Sequence, residues 1–201
     1  MTTANRTAEV VRNTRETQIS ARVDLDGTGE TDIECPIGFL AHMLDAFGRH
    51  AHVDLTMRIA GDLHIDQHHT VEDAGIVLGQ ALREALGDRR GIWRTGHCRF
   101  PMDETLAEAA VDLSGRPFCV FLVPFERAFI GELQSDLVVE FFRAFAGGLA
   151  ANLHVELVRG ENDHHRCEAT FKAVARAFEL AAARHPRASD ALPSTKGHLD
   201  G

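Results

Sequence analysis

Two stretches of this chain are copies of one another, and that constrains its fold more than anything else in it. Arg15 to Gly29 reads RETQISARVDLDGTG and Asp103 to Pro117 reads DETLAEAAVDLSGRP. At an offset of 88 they share Glu16/Glu104, Thr17/Thr105, Ala21/Ala109, Val23/Val111, Asp24/Asp112, Leu25/Leu113 and Gly27/Gly115, seven identities in fifteen. Chance gives about one, so the match marks an internal repeat. Further on, HHTVE at 68–72 faces HHRCE at 164–168 at an offset of 96, and AHMLDAF at 41–47 faces VEFFRAF at 139–145 at an offset of 98. Residues 1–93 and 94–185 therefore read as two copies of one unit, each ordered strands, helix, strand, helix, with 186–201 as a polar tail outside the core.

Local signals agree with that order. Thr17 to Asp24 and Val53 to Ile59 carry β-formers in partial alternation, and Phe118 to Val123 with Leu153 to Val158 are taken as their counterparts. After each HHxxE the apolar residues adopt helical spacing, with Ile76, Leu78, Leu82 and Leu86 in one copy and Phe171, Val174, Phe178 and Leu180 in the other. Gly87 and Pro186 stand where those helices should stop. The mixed succession predicts an α+β fold of two similar halves, each a β-sheet with helices on one face.

The duplicated histidines carry the chemistry. Residues i and i+4 lie about 40° apart around a helix, so His68 with Glu72, and His164 with Glu168, share one stripe. His69 and His165 project about 100° away, so each copy points ligands in two directions. Two such copies predict two related metal sites, each drawing on both halves. Imidazole mixed with carboxylate suits Mn, Fe, Zn, Co or Ni better than Ca or Mg. His42 and Glu140 occupy equivalent repeat positions; on spacing alone each could equally be a ligand or an ordinary side chain. His52, His64, His97, His154, His185 and His198 lack such a pattern and read as solvated or hydrogen-bonded residues.

Composition excludes several classes. With 21 Lys+Arg against 30 Asp+Glu the net charge is −9, and no basic run offers a footprint for nucleic acid. The longest apolar stretch, Phe118 to Val123, falls far below the ~18 residues of a membrane span, and the polar N-terminus lacks a signal-like core. A cytoplasmic protein is expected. Cys35, Cys98, Cys119 and Cys167 form no CxxC pair and read as reduced thiols.

Several long motifs in fixed order, RETQI, HMLDAFGRH, HHTVED, PMDE followed by VDLSGRP, NDHHRCEATFKA and PSTKG, resemble the imidazoleglycerol-phosphate dehydratase family over nearly the whole chain. The resemblance implies a manganese-dependent hydro-lyase of histidine biosynthesis that converts imidazole glycerol phosphate to imidazole acetol phosphate through a metal-bound imidazolate. It implies two Mn(2+) per active site, one held by His42, His69, His164 and Glu168, the other by His68, Glu72, Glu140 and His165. The repeat alignment exchanges these two sets. It further implies Glu16 and then Asp103 in proton transfer, and substrate contacts from Glu16, His50, Arg94, Arg116, Lys172, Ser194 and Lys196, so that the tail joins the substrate site. A homo-oligomer, a 24-mer with sites between subunits, is the expected assembly. Ala41 stands where the family commonly has Asp, Thr95 where Phe is common, and Glu140 where some members have His; Cys119 to Asp136 departs from the family pattern. Two other readings remain: a non-catalytic metal-binding shell, which needs neither Glu16 nor the arginines, and a dinuclear phosphohydrolase.

Overall fold

The structure, a computed structural model, describes residues 6–188 and 190–199. The first half runs β1 (Thr7–Asn13), β2 (Thr17–Asp24), β3 (Thr31–Glu34), α1 (Gly38–Ala51), β4 (Asp54–Gly61) and α2 (His68–Leu86). The second runs β5 (Thr95–Met102), β6 (Thr105–Asp112), β7 (Phe118–Leu122), a short hairpin of β8 (Phe129–Ile130) and β9 (Leu133–Gln134), then α3 (Leu137–Leu149), β10 (Asn152–Arg159) and α4 (Asp163–Ala182). The sheets have the same plan, β1-β2-β4-β3 and β5-β6-β10-β7. In each, the last pair is parallel and the others antiparallel.

Alternation decides which sheet face is covered. In β2, Thr17, Ile19, Ala21 and Val23 are buried while the residues between them are not, and β6 repeats this with Thr105, Ala107, Ala109 and Val111. The counterpart of Thr17–Asp24 is thus β6, as the offset of 88 requires, and not Phe118–Val123. That run forms β7, the counterpart of the four-residue β3, because both pair in parallel with the strand preceding the last helix.

The halves join through their helices. α2 packs on β1, β2 and on α3; α4 packs on β5, β6 and on α1. Exchanging the two halves exchanges these helix pairs, and the buried apolar residues form one continuous core. α2 is buried on two sides, which an amphipathic spacing rule does not anticipate: Val77 and Ala81 are buried beside Leu78 and Leu82. Leu180, on the α4 stripe expected to face inward, is 46% exposed. Leu199 in the tail is 8% exposed, with its carbonyl against Gly115, so the tail is partly anchored.

Gly75 and Gly79 allow α2 and α3 to approach closely. A Cβ on Gly79 would stand 2.4 Å from the Phe145 carbonyl oxygen and 2.7 Å from the Leu149 nitrogen, both backbone atoms that have little room to yield. Alanine gains at most about 1 kcal/mol of helix propensity over glycine, whereas forcing an extra carbon into a packed interface costs about 1–3 kcal/mol. Gly79→Ala is therefore expected to lower Tm, by up to roughly 3–8 °C at this chain length. A thermal melt at or above the wild-type value would refute the tight crossing.

Candidate metal centre and anion cleft

The first turn of α4 is set by Asn162, whose side chain accepts a 2.9 Å hydrogen bond from the His164 backbone N–H, an N-cap that starts the helix on the HHxxE motif. This puts His164 and Glu168 on one stripe, facing His42 on α1. Glu168 Oε2 lies 2.9 Å from His164 Nε2 and 3.3 Å from His42 Nε2. One ligand atom from each of His42, His164 and Glu168 lies within 4.8 Å of the others. Phe39 walls the group, its ring 5.0 Å from that of His164 and edge-on.

Glu168 is the buried member, and its second oxygen is 2.6 Å from Lys172 Nζ one turn on. Burial pushes its carboxyl pKa up, but the Lys172 ammonium and the bonds to His164 and His42 outweigh that and hold it below the usual range. The centre thus keeps an ionised carboxylate between two imidazole nitrogens, a mixed donor set that suits a divalent transition-metal cation.

The equivalent trio on α3 and α2 is Glu140, His68 and Glu72. His68 Nε2 lies 4.0 Å from Glu72 Oε2, while Glu140 Oε1 accepts a 2.6 Å hydrogen bond from Arg143. Among the described residues these three do not close into a compact group, because Arg143 draws Glu140 aside; its counterpart in the first half is Asp45.

His69 and His165 stand apart from both trios, their rings nearly perpendicular to those of His68 and His164. His165 Nδ1 is 2.8 Å from Glu104 Oε2, and the other Glu104 oxygen accepts the backbone N–H groups of Glu161 and Asn162. His69 Nδ1 is 3.2 Å from Asp62, with Glu16 at 3.9 Å. The Asp62 bond pushes the His69 pKa up, and the His165 bond holds the Glu104 carboxyl far below its ordinary value. When Nδ1–H donates to an acid, Nε2 keeps its lone pair outward, the tautomer a metal ligand needs. Glu104 was not among the residues expected to act, although the offset of 88 pairs it with Glu16 and could have found it. Asp103 Oδ2 lies 3.8 Å from His165 Nε2.

Arg94, Ser114, Arg116, Ser194, Thr195 and Lys196 line a cleft of about 360 Å³. This gathers four of the residues expected at the substrate from three distant parts of the chain. Arg94 is anchored by Asp112, at 2.7 and 2.9 Å, and by the Pro193 carbonyl at 2.8 Å, which ties the tail to the second half. His50 and Lys172 do not line the cleft. They meet at Phe100, with the His50 ring edge-on at 5.2 Å and Lys172 Nζ 5.6 Å from the ring centre, close to Glu168. Burial, and then Lys172 and Arg176, push the His50 pKa down.

The family model described as imidazoleglycerol-phosphate dehydratase matches residues 35–178. Among similar proteins, the imidazoleglycerol-phosphate dehydratase of Acidiphilium cryptum is 58% identical, covering 97% of this chain and all of the relative. That of Granulibacter bethesdensis is 59% identical over 96% of this chain and 99% of the relative. The crystal structure of the Staphylococcus aureus imidazoleglycerol-phosphate dehydratase superposes with a TM-score of 0.80 at 37% identity, covering 89% of this chain and 99% of that one. The Pyrococcus furiosus enzyme, in complex with (S)-C348, gives a TM-score of 0.81 at 35% identity over 94% and 100% of the two chains.

Proposed function

The chain belongs to the imidazoleglycerol-phosphate dehydratase family, and on that footing we propose that it dehydrates imidazole glycerol phosphate to imidazole acetol phosphate with the help of two manganese ions per site. It is a hydro-lyase of histidine biosynthesis. Among the described residues no helix is long and apolar enough to cross a membrane, and the cytoplasm is the proposed location.

The observation that carries the reading is the convergence of His42, His164 and Glu168 from two helices, with ligand atoms within 4.8 Å of one another. These three, completed by His69, would hold one ion; His68, Glu72, Glu140 and His165 would hold the other. When bound, manganese supplies positive charge that polarises the substrate's imidazole and orients its diol. His69 lies outside the trio, and the symmetry of the two sets gives His165 the same relation to the other. We therefore assign both completing histidines to neighbouring subunits of a homo-oligomer, of which a 24-mer is the proposed form.

The remaining work falls to side chains. The reaction removes a proton from one carbon, expels the hydroxyl of the imidazole-bearing carbon as water after protonation, and lets the resulting enol become a ketone. Glu16, 55% exposed by side chain and beside His69, is the first candidate for moving those protons; Asp103 beside His165 is the second. Arg94, Arg116, Ser194 and Lys196 bind the phosphate, the guanidinium forks giving charge-assisted bonds. His50 and Lys172, next to Glu168, contact the substrate between phosphate and ring.

Manganese-loaded protein incubated with imidazole glycerol phosphate is expected to form imidazole acetol phosphate without releasing free phosphate. Phosphate release would mark a phosphohydrolase, and no turnover with metal bound would mark a structural shell; either result overturns the reading.

A further inference from the structure

The repeat exposes a substitution at one corner of the second half. In the first half Arg6 precedes β1 and Asp26 follows β2, and Arg6 Nη2 lies 2.6 Å from Asp26 Oδ1. Arg184 adds a second cation 3.7 Å from the same carboxylate. At the offset of 88 their counterparts in the second half are Arg94 and Ser114. The two corners match in backbone as well. Leu25 donates its N–H to the Arg6 carbonyl and Leu113 donates to that of Arg94, each at 3.0 Å. The second corner has therefore kept its arginine but lost the carboxylate at the Asp26 position; Arg94 is paired instead with Asp112, the counterpart of Asp24, which leaves the charges of Arg116 and Lys196 facing the cleft beside Ser114.

Three features of Ser114 indicate what the loss is for. The residue is 4% exposed, on the cleft that carries Arg94, Arg116 and Lys196. Among the described residues its Oγ has no hydrogen-bond partner, a costly condition for a buried hydroxyl that an acceptor entering the cleft would relieve. A carboxylate at this position would meet any incoming anion with like charge beside the arginines. A hydroxyl instead donates to it, after one χ1 rotation between staggered wells.

We propose that Ser114 is a phosphate-binding residue of this cleft, and that Ser rather than Asp at this position makes the second corner, unlike the first, an anion site. The inference rests on the reading that the cleft binds the substrate phosphate, so the test carries a control for that reading.

Steady-state kinetics on imidazole glycerol phosphate, with inorganic phosphate as competitor, would be measured for Ser114→Ala, Ser114→Thr, Ser114→Asp and Arg116→Ala, each with a thermal melt and metal content. Loss of a hydrogen bond to a charged group corresponds to roughly a tenfold change or more. Ser114→Ala is expected to raise KM and the phosphate inhibition constant about tenfold, with a smaller effect on kcat, and Ser114→Thr, which keeps the hydroxyl, to restore most of the loss. Ser114→Asp should abolish phosphate competition with metal still bound. If Arg116→Ala weakens phosphate binding while Ser114→Ala and Ser114→Asp stay within twofold of wild type, the assignment of Ser114 fails and the cleft stands. If Arg116→Ala also has no effect, the cleft reading itself fails, and this inference with it. Should Ser114→Asp not fold, the contrast between Ser114→Ala and Ser114→Thr decides.

Discussion

Glu168→Gln is expected to reduce turnover by at least ~100-fold, because even the outer partners of metal ligands cost 10–100-fold in affinity or activity when removed. Glu168 does three things that an amide cannot. Its Oε2 stands between His164 and His42 at 2.9 and 3.3 Å, so the carboxylate is the anionic corner of the proposed site. Its other oxygen neutralises Lys172 at 2.6 Å, in a position where the lysine side chain is only 17% exposed. Its depressed pKa keeps it ionised, and hence able to ligate, well below neutral pH. An isosteric glutamine keeps the packing but removes the charge, so a thermal melt should show a folded protein while elemental analysis shows less bound manganese. A variant with wild-type manganese content and kcat would remove Glu168 from the site.

Part of the fold was legible in local alternation and in the repeat, and part was not. β2 reads as a strand, and the seven residues it shares with β6 mark the duplication, but the local signals pass over Thr105–Asp112 as a strand in favour of Phe118–Val123, although β2 and β6 bury the same alternate positions against helices. β1 and β5 escaped because none of their residues is fully buried; β5 also carries Gly96 and Pro101, which pattern rules read as breakers, although an edge strand tolerates both. Of the candidate site, the His164–Glu168 pair on α4 was read from helical geometry, since i and i+4 on one helix fix a shared face without tertiary knowledge. His42 needed the repeat to be noticed and the packing of α1 on α4 to be placed. The offset of 88 pairs Glu104 with Glu16 and Ser114 with Asp26, but the hold of Glu104 on His165 and the unpartnered Ser114 hydroxyl depend on a turn and on side-chain partners that spacing does not encode. Arg143 drawing Glu140 aside is of the same kind, a local i,i+3 pair that competes with the longer-range contact.

His165→Ala is expected to abolish activity and shrink the native particle, while Glu104→Gln leaves the particle intact and lowers turnover by about 10–100-fold. The two differ in what they remove. His165 would supply the nitrogen that completes a site on a neighbouring chain, so its loss takes away a ligand and an intersubunit bond together. Glu104 stays within its own half, holding His165 by Nδ1 at 2.8 Å and the turn before α4 by two backbone N–H groups. Gln retains a side-chain carbonyl for the turn but offers His165 no charge, so the ring keeps its place less firmly and Nε2 is a weaker donor. Native mass and metal content, measured together, separate these roles: a full-size His165→Ala particle with two ions per chain would show that each site closes within one subunit, and the shared-site arrangement would fall.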